Sequence, residues 1–242
     1  MDRLEAHLAG QGDRFGQFFW HRLRWRAVSE FLPRGAAFSV VDVGAGTGHF
    51  GAFLAREYPL AEYYFVEPLP SLEAQLEARY GTDHNARTWS DYSGVRCITL
   101  LDVLEHQEDD VAFLQELLAA TDAGTTIIVT VPARMTLWSR WDVALGHYRR
   151  YERQGMVDLF ARLPVDVVEV SYLFPELVLP GRWRAWRSRR APQGARNAAA
   201  DFPELPLAVN RLLYGLCTPA VVWRRRMPTG SSLLAVIRRR AT

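Results

Sequence analysis

At 242 residues and 49% hydrophobic, the chain suits one α/β domain with an elaboration and excludes a small disulfide-stapled scaffold. Its two cysteines, Cys97 and Cys217, give neither a disulfide framework nor a metal spacing, so no metal is expected and a reducing cytoplasm fits. The net charge of +2 hides an asymmetry: residues 1–181 carry 16 Arg against 25 acids, residues 182–242 carry 13 Arg against two, and there is no lysine.

The amino terminus begins with charged residues and lacks the apolar run of a signal peptide. Residues 11–35 read as a helix, with Phe15, Phe18, Phe19, Leu23, Val28 and Phe31 at helical spacing and a stop at Pro33. Ser39–Val43 is a β-branched run that reads as a buried strand. Gly44, Gly46 and Gly48 follow it, and Phe50, Phe53 and Leu54 then fall at helical spacing. Strand, glycine turn and helix make a ligand cradle, because glycine allows close backbone approach and the helix start offers unpaired N–H groups. A second strand, Tyr63–Val66, ends at Glu67, 23 residues past Gly44 and followed by Pro68. An acid there can accept hydrogen bonds from both hydroxyls of a ribose. These features alone indicate an α/β domain with an adenosine-type ligand at Gly44–Gly48.

Ser71–Tyr80 reads as a helix, Ala86–Trp89 as a weak third strand, and Arg96–Leu101 as a fourth. Asp102-Val103-Leu104-Glu105-His106 comes next, and His106 is a candidate general base, since imidazole titrates near neutrality. A loop-orienting hydrogen bond is its other role. Asp109–Ala120 is an amphipathic helix and Thr125–Val131 a fifth strand. The loop from Val131 to Asp142, with Trp138, leaves the carboxyl end of that strand, where ligands bind in open α/β sheets. It leads to Gly146-His147-Tyr148-Arg149-Arg150-Tyr151. Glu152–Leu163 is a helix, Val165–Leu173 a sixth strand and Ser231–Ile237 the last.

Asp42-Val43-Gly44-Ala45-Gly46-Thr47-Gly48 resembles the first motif of class I S-adenosylmethionine-dependent methyltransferases, with GxGxG in place of the dinucleotide GxGxxG. Leu104-Glu105-His106 resembles the LEH signature of small-molecule O-methyltransferases, and Gly146–Tyr151 a GHYRRY signature found in a subgroup of them. The resemblance covers roughly residues 15–175 plus the last strand. It implies a Rossmann-like, seven-stranded, mostly parallel sheet with helices on both faces and the last strand antiparallel. It implies S-adenosyl-L-methionine as donor and S-adenosyl-L-homocysteine as product. In such proteins Trp20 and Arg24 would close over the donor, and Asp42 would order the loop and the methionine end. Gly44, Ala45, Gly46 and Gly48 would run beneath the ligand, Glu67 and Pro68 would flank the ribose, Ser90 and Asp91 the adenine, and Asp102 and Val103 the methyl pocket. His147 is the first choice as base or positioning residue, with His106 and Tyr148 beside it. Trp138, Arg149 and Tyr151 would contact substrate, unless HYRRY is a structural clasp. Thr121-Asp122-Ala123-Gly124 departs from the Lys-Pro-Gly-Gly turn usual at that place.

The expected organisation is a single domain. It comprises a helical cap (1–35), a donor-binding core (36–173), a basic, aromatic insertion (174–230) and the last strand with its tail (231–242). The insertion holds Trp183, Trp186, Tyr214 and Trp223, and its apolar run Leu205–Leu216 contains Asn210 and Arg211, which disfavours a membrane span. Tryptophan and arginine beside aliphatics suit an interfacial helix or a lid. Residues 182–226 are therefore the expected membrane-surface contact, with a solvated basic face as the alternative. No nucleic-acid module is recognisable, so none is expected as partner. The expected activity is methylation of a small acceptor, anionic or lipid-linked, of the glycan, lipid-linked or secondary-metabolite kind, with an oxygen favoured and nitrogen or carbon open. The alternatives are a non-methylating reaction on the same fold and a non-enzymatic membrane-surface protein.

Overall fold

The computed structural model describes residues 18–89, 91–190 and 205–241. In chain order the elements are α1 (Phe19–Ser29), β1 (Phe38–Val43), α2 (His49–Glu57), β2 (Ala61–Val66), α3 (Pro70–Tyr80) and β3 (Cys97–Leu101). They continue with α4 (Asp110–Ala119), β4 (Thr126–Pro132), α5 (Arg140–Ala144), α6 (Arg153–Phe160), β5 (Val165–Leu173), α7 (Val178–Arg190), α8 (Leu207–Val222) and β6 (Ser232–Arg239).

The strands form one sheet in the order β2-β1-β3-β4-β6-β5. The pairs β1/β2, β1/β3 and β3/β4 are parallel, and β6 runs antiparallel between β4 and β5. The carboxyl ends of β1 to β5 therefore share one edge.

Strand alternation assigns the two faces. Ile127, Val129 and Val131 of β4 and Leu233, Ala235 and Ile237 of β6 join Leu114, Leu118, Met156 and Phe160 from α4 and α6. On the opposite face Ile128, Leu234 and Val236 meet Leu23 and Val28 of α1, Phe50 and Leu54 of α2, and Cys217 and Val221 of α8. Burying each such Leu or Ile contributes about 1.5–3 kcal/mol, so both helical layers are held chiefly by this burial.

Among the described residues the sheet has six strands, which corrects the expectation of seven. Ala86–Thr88 forms a turn of 3-10 helix instead of a strand. Asn85 explains why: its side chain accepts from the Arg87 N–H and donates to Glu73 and Glu77. These local bonds compete with ladder formation, and only the bridge Phe65–Asn85 remains. Residues 11–17 of the expected first helix, Phe15 among them, lie outside the described residues, as does Ser90.

The second half of the insertion belongs to the core. α8 packs along α1: the Phe19 N–H donates to Asn210 Oδ1 at 2.7 Å, and the Arg22 guanidinium lies 4.5 Å from the Tyr214 ring centre. Beyond α8, Arg224 reaches Glu30 after α1 and Glu169 on β5. No helix among the described residues is long and apolar enough to cross a membrane.

Candidate active site

Backbone strain marks the carboxyl edge. Asp102 (φ 61), Arg134 (φ 66) and Phe174 (φ 56) are the non-glycine residues with positive φ among those described. They follow the ends of β3, β4 and β5. Such conformations cost on the order of 1–3 kcal/mol each and concentrate at functional sites.

At the end of β1, Gly44 (φ 76) and Gly48 (φ 74) need the freedom of glycine twice over. A Cβ on Gly44 would stand 2.5 Å from Val103 Cγ2, and one on Gly48 would stand 2.6 Å from Leu76 Cδ2. The loop is tied to β2 by the Gly44 and Ala45 N–H groups, which donate to the Val66 carbonyl at 2.7 and 3.2 Å. Glu67 Oε2 accepts from the Gly46 N–H at 2.7 Å, and Oε1 accepts from the Leu69 N–H at 3.0 Å. A carboxylate has about four lone-pair sites, so acceptor capacity remains. Burial pushes the Glu67 carboxyl up, against the two N–H groups that favour its charge. Pro68 is exposed beside it.

Asp42 is held by side chains of the neighbouring strands. Thr99 Oγ1 donates to its Oδ1 at 2.6 Å and the Tyr63 hydroxyl to its Oδ2 at 3.2 Å. Burial raises its pKa to about 7, with the Glu67 charge adding to the effect.

Arg24 enters from α1. Its Nη1 donates to Asp102 Oδ2 and lies 3.5 Å from Thr130 Oγ1. Its guanidinium sits 4.7 Å from the Trp20 ring centre, the i, i+4 spacing bringing the two together. Arg24 is 3% exposed, yet Nε and Nη2 meet no acceptor among the described residues. A buried donor without a partner costs about 1–3 kcal/mol, more when charged. The residues therefore fit a ligand with an anionic end at Arg24, a polar hydroxylated body at Glu67 and close backbone contact at the glycines.

The LEH and GHYRRY segments meet across the edge. The Tyr148 N–H donates to the Glu105 carbonyl at 2.8 Å, and the His106 and His147 rings lie edge to face with centroids 4.8 Å apart. His147 Nδ1 is 3.0 Å from Asp142 Oδ1, which also accepts from Arg150 Nε at 2.7 Å. Although burial alone would raise it, the His147 and Arg150 hydrogen bonds hold the Asp142 carboxyl down at about 2. Burial, with His147 adding to it, holds His106 down at about 4, so its imidazole is neutral at pH 7.

Not every expected contact residue faces outward. Tyr151 is buried, and its hydroxyl donates to Asp110 Oδ2 at 2.8 Å with the Leu104 carbonyl at 3.1 Å. Arg149 pairs with Asp110 at 3.0 Å and donates to the Glu108 carbonyl. Both brace the two segments. Tyr148 is 54% exposed, and Trp138 is half-buried. Asp91 accepts the Ser93 N–H at 3.0 Å in a turn that leads to the amino end of β3. Two participants escaped the sequence reading: Asp142, which orients His147, and Glu105, singled out only within its signature. Asp142 had a signal, since Ser139-x-x-Asp142 is a capping-box spacing, and the box forms.

A family model described as a methyltransferase domain matches residues 14–170. No curated protein sequence matches the chain. Among solved structures, a chain from the complex of the Haloferax volcanii Trm112 methyltransferase activator with a methyltransferase gives TM-score 0.61 at 17% identity, covering 100% of this chain and 99% of that one. Haemonchus contortus phosphoethanolamine N-methyltransferase 2, bound to phosphomonomethylethanolamine and S-adenosylhomocysteine, gives 0.57 at 14% identity; the match covers 96% of this chain and 59% of that one. The SpnF cyclase gives 0.59 at 13% identity, with coverages of 92% and 83%. At these identities the structural likeness establishes the fold, while the family model spans most of the chain. The chain belongs to the methyltransferase-domain family, in its class I S-adenosylmethionine-dependent fold.

Proposed function

We propose that this protein transfers a methyl group from S-adenosylmethionine to a hydroxyl of a small acceptor. The observation that carries this reading is Arg24, a buried guanidinium with two unmet donors beside the glycine cradle. The donor supplies a methyl group already activated on a sulfonium sulfur. Arg24 Nε and Nη2 would hold its carboxylate, and the remaining lone pairs of Glu67 would accept from its ribose hydroxyls. Gly44 to Gly48 let the backbone close beneath it, and Val103 packs over the loop. Transfer to an acceptor hydroxyl would exchange the C–S bond for a C–O bond and would release the hydroxyl proton to a nearby base. With the leaving group preformed, the chain mainly aligns the partners and excludes water. His147, held by Asp142, or the neutral His106 would take that proton.

Calorimetric titration with S-adenosylhomocysteine, with NAD in parallel, tests the donor. Micromolar binding of the first and none of the second is expected; binding of NAD alone would overturn it. A second reading draws on the SpnF likeness: a cyclase shares this fold, so donor binding without methyl transfer to any acceptor would favour a non-methylating reaction.

We also propose that the acceptor is amphipathic and is met at an anionic membrane surface. α7 bears Leu179, Trp183 and Trp186 on one exposed stripe among arginines, and α8 bears the exposed Leu212 and Leu216 beside Arg211. The other side of α7 rests on the loop after β4. The Arg140 N–H donates to Ser188 Oγ at 3.0 Å, and the Arg184 guanidinium lies 4.5 Å from the Trp141 ring centre. A surface-bound α7 would thus stand next to the acceptor side of the edge. Salt-sensitive binding to phosphatidylglycerol vesicles but not to phosphatidylcholine vesicles is the expected result.

A further inference from the structure

Glu105, His106 and His147 each offer one ligand atom, and these atoms lie within 4.8 Å of one another. They come from two places far apart in sequence. Glu105 and His106 stand on the 3-10 turn after β3, and His147 follows the short helix α5. No motif spacing announces the group, because it exists only once the Tyr148 N–H has bonded to the Glu105 carbonyl.

The Glu105 carboxylate is the anomaly. The residue is 1% exposed, and neither oxygen lies within hydrogen-bond geometry of a donor among the described residues. The cations nearest in chemistry are engaged elsewhere: Arg24 Nη1 with Asp102, and Arg150 Nε with Asp142. A buried carboxyl without partners is costly in a protein interior, and such groups are ordinarily hydrogen-bonded or bound to metal.

The two histidines carry the marks of ligands. Asp142 engages Nδ1 of His147 and leaves Nε2 for a Lewis acid. Asp142 is fixed in turn by the Ser139 N–H at 2.8 Å and by Arg150. A carboxylate behind a ligating imidazole is the usual outer-shell arrangement at metal centres. His106 makes its own hydrogen bond with the backbone of Gly146.

We propose that Glu105, His106 and His147 bind one divalent cation of borderline softness, of the zinc, manganese or iron class. Two imidazoles and one carboxylate match the donor preference of these metals, and three protein ligands leave a position open for a further group. Tetrahedral bonds of 2.0–2.2 Å separate neighbouring ligand atoms by about 3.4 Å, so rotamer-scale movements close the site. The occupancy stands independently of methyl transfer; its role rests on that reading. An acceptor hydroxyl in the open position would lose its proton to water more readily, and the metal would hold the resulting oxygen in place for the methyl group. His106 and His147 then serve as ligands instead of bases.

The test uses the full chain, stripped with chelator and dialysed, without donor or acceptor. Titration with Co2+ is followed by its visible absorption, and Zn2+ is added as competitor. The expected result is one Co2+ per chain, displaced by Zn2+. Glu105→Gln and His147→Ala should each weaken affinity by at least about 100-fold. His84→Ala, whose Nδ1 bonds the Tyr63 carbonyl elsewhere, should change nothing. Glu105→Gln keeps the shape of the side chain and removes its charge, so it is expected to fold, and thermal melting checks this. Absence of stoichiometric Co2+ in the wild-type chain, or equal binding by Glu105→Gln and His147→Ala, overturns the proposal. Titrating the same samples with S-adenosylhomocysteine separates the two readings. Donor binding without Co2+ removes only the metal, and Co2+ binding without the donor removes only the methyl-transfer reading.

Discussion

Two buried arginines on the same helical face of the sheet differ in how they are satisfied. Arg224 is 1% exposed and fully engaged: Nε donates to Glu169 Oε1 at 2.7 Å, and Nη1 and Nη2 donate to the two oxygens of Glu30 at 2.9 and 2.7 Å. Glu169 is completed by Arg225 at 2.6 Å and by Ser171 at 2.6 Å. Arg24 is as deeply buried, but only Nη1 is engaged. The first arginine closes a structural account, locking the end of α8 to α1 and β5. The second leaves donors open at the strained edge of the sheet. Burial alone does not separate the two roles; hydrogen-bond satisfaction does.

Substitutions can break this comparison. The largest effect is expected from Gly46→Arg, which fills the cradle and should abolish S-adenosylhomocysteine binding with the fold retained in thermal melts; unchanged affinity would remove the donor site. Arg224→Met should cost about 1.5–3 kcal/mol of stability, because it removes the charge-assisted bonds to Glu30 and to buried Glu169, which keeps Arg225 and Ser171, and should leave donor affinity alone. Denaturant unfolding alongside calorimetry reads both. Arg24→Met should behave the opposite way, weakening donor binding by about 1.5–3 kcal/mol with a smaller change in stability. If both variants lost stability alone, the two arginines would share one structural role.

Glu67→Ala sharpens the donor side further. Loss of about 1–3 kcal/mol in donor affinity is expected, and equal affinity would leave Glu67 only its bonds to the Gly46 and Leu69 amides. The smallest effect concerns Asp42. Its folded pKa of about 7 lies above the ordinary aspartate value of 3.8, so the folded state binds the proton more tightly. Stability should fall as pH rises between these values and level off above them, and Asp42→Asn should flatten that slope in melts taken from pH 4 to 8.

The glycine cradle was legible because its signals are local. Gly44, Gly46 and Gly48 adopt positive φ in the turn after β1, and Glu67 after β2 accepts from the Gly46 N–H, so strand, turn and acid stand in their sequence order. The third strand was misread because Ala86–Trp89 is short and its neighbour Asn85 bonds locally instead of joining a ladder. Tyr151 reads as a substrate contact from its place in the GHYRRY signature, with a structural clasp as the alternative, and its hydroxyl is bonded to Asp110. The insertion read as one surface element, yet α8 supplies Cys217 and Val221 to the core while α7 leaves Trp183 and Trp186 outside.

Periodicity and glycine placement act over a few residues, so they sufficed for the α/β class, for the six strands that form and for the glycine cradle. Only the tertiary structure decided which arginine stays open, which aspartate orients His147 and that Glu105 is buried beside two imidazoles. These are contacts between segments tens of residues apart, and their energies depend on burial and hydrogen-bond satisfaction, which no local pattern encodes.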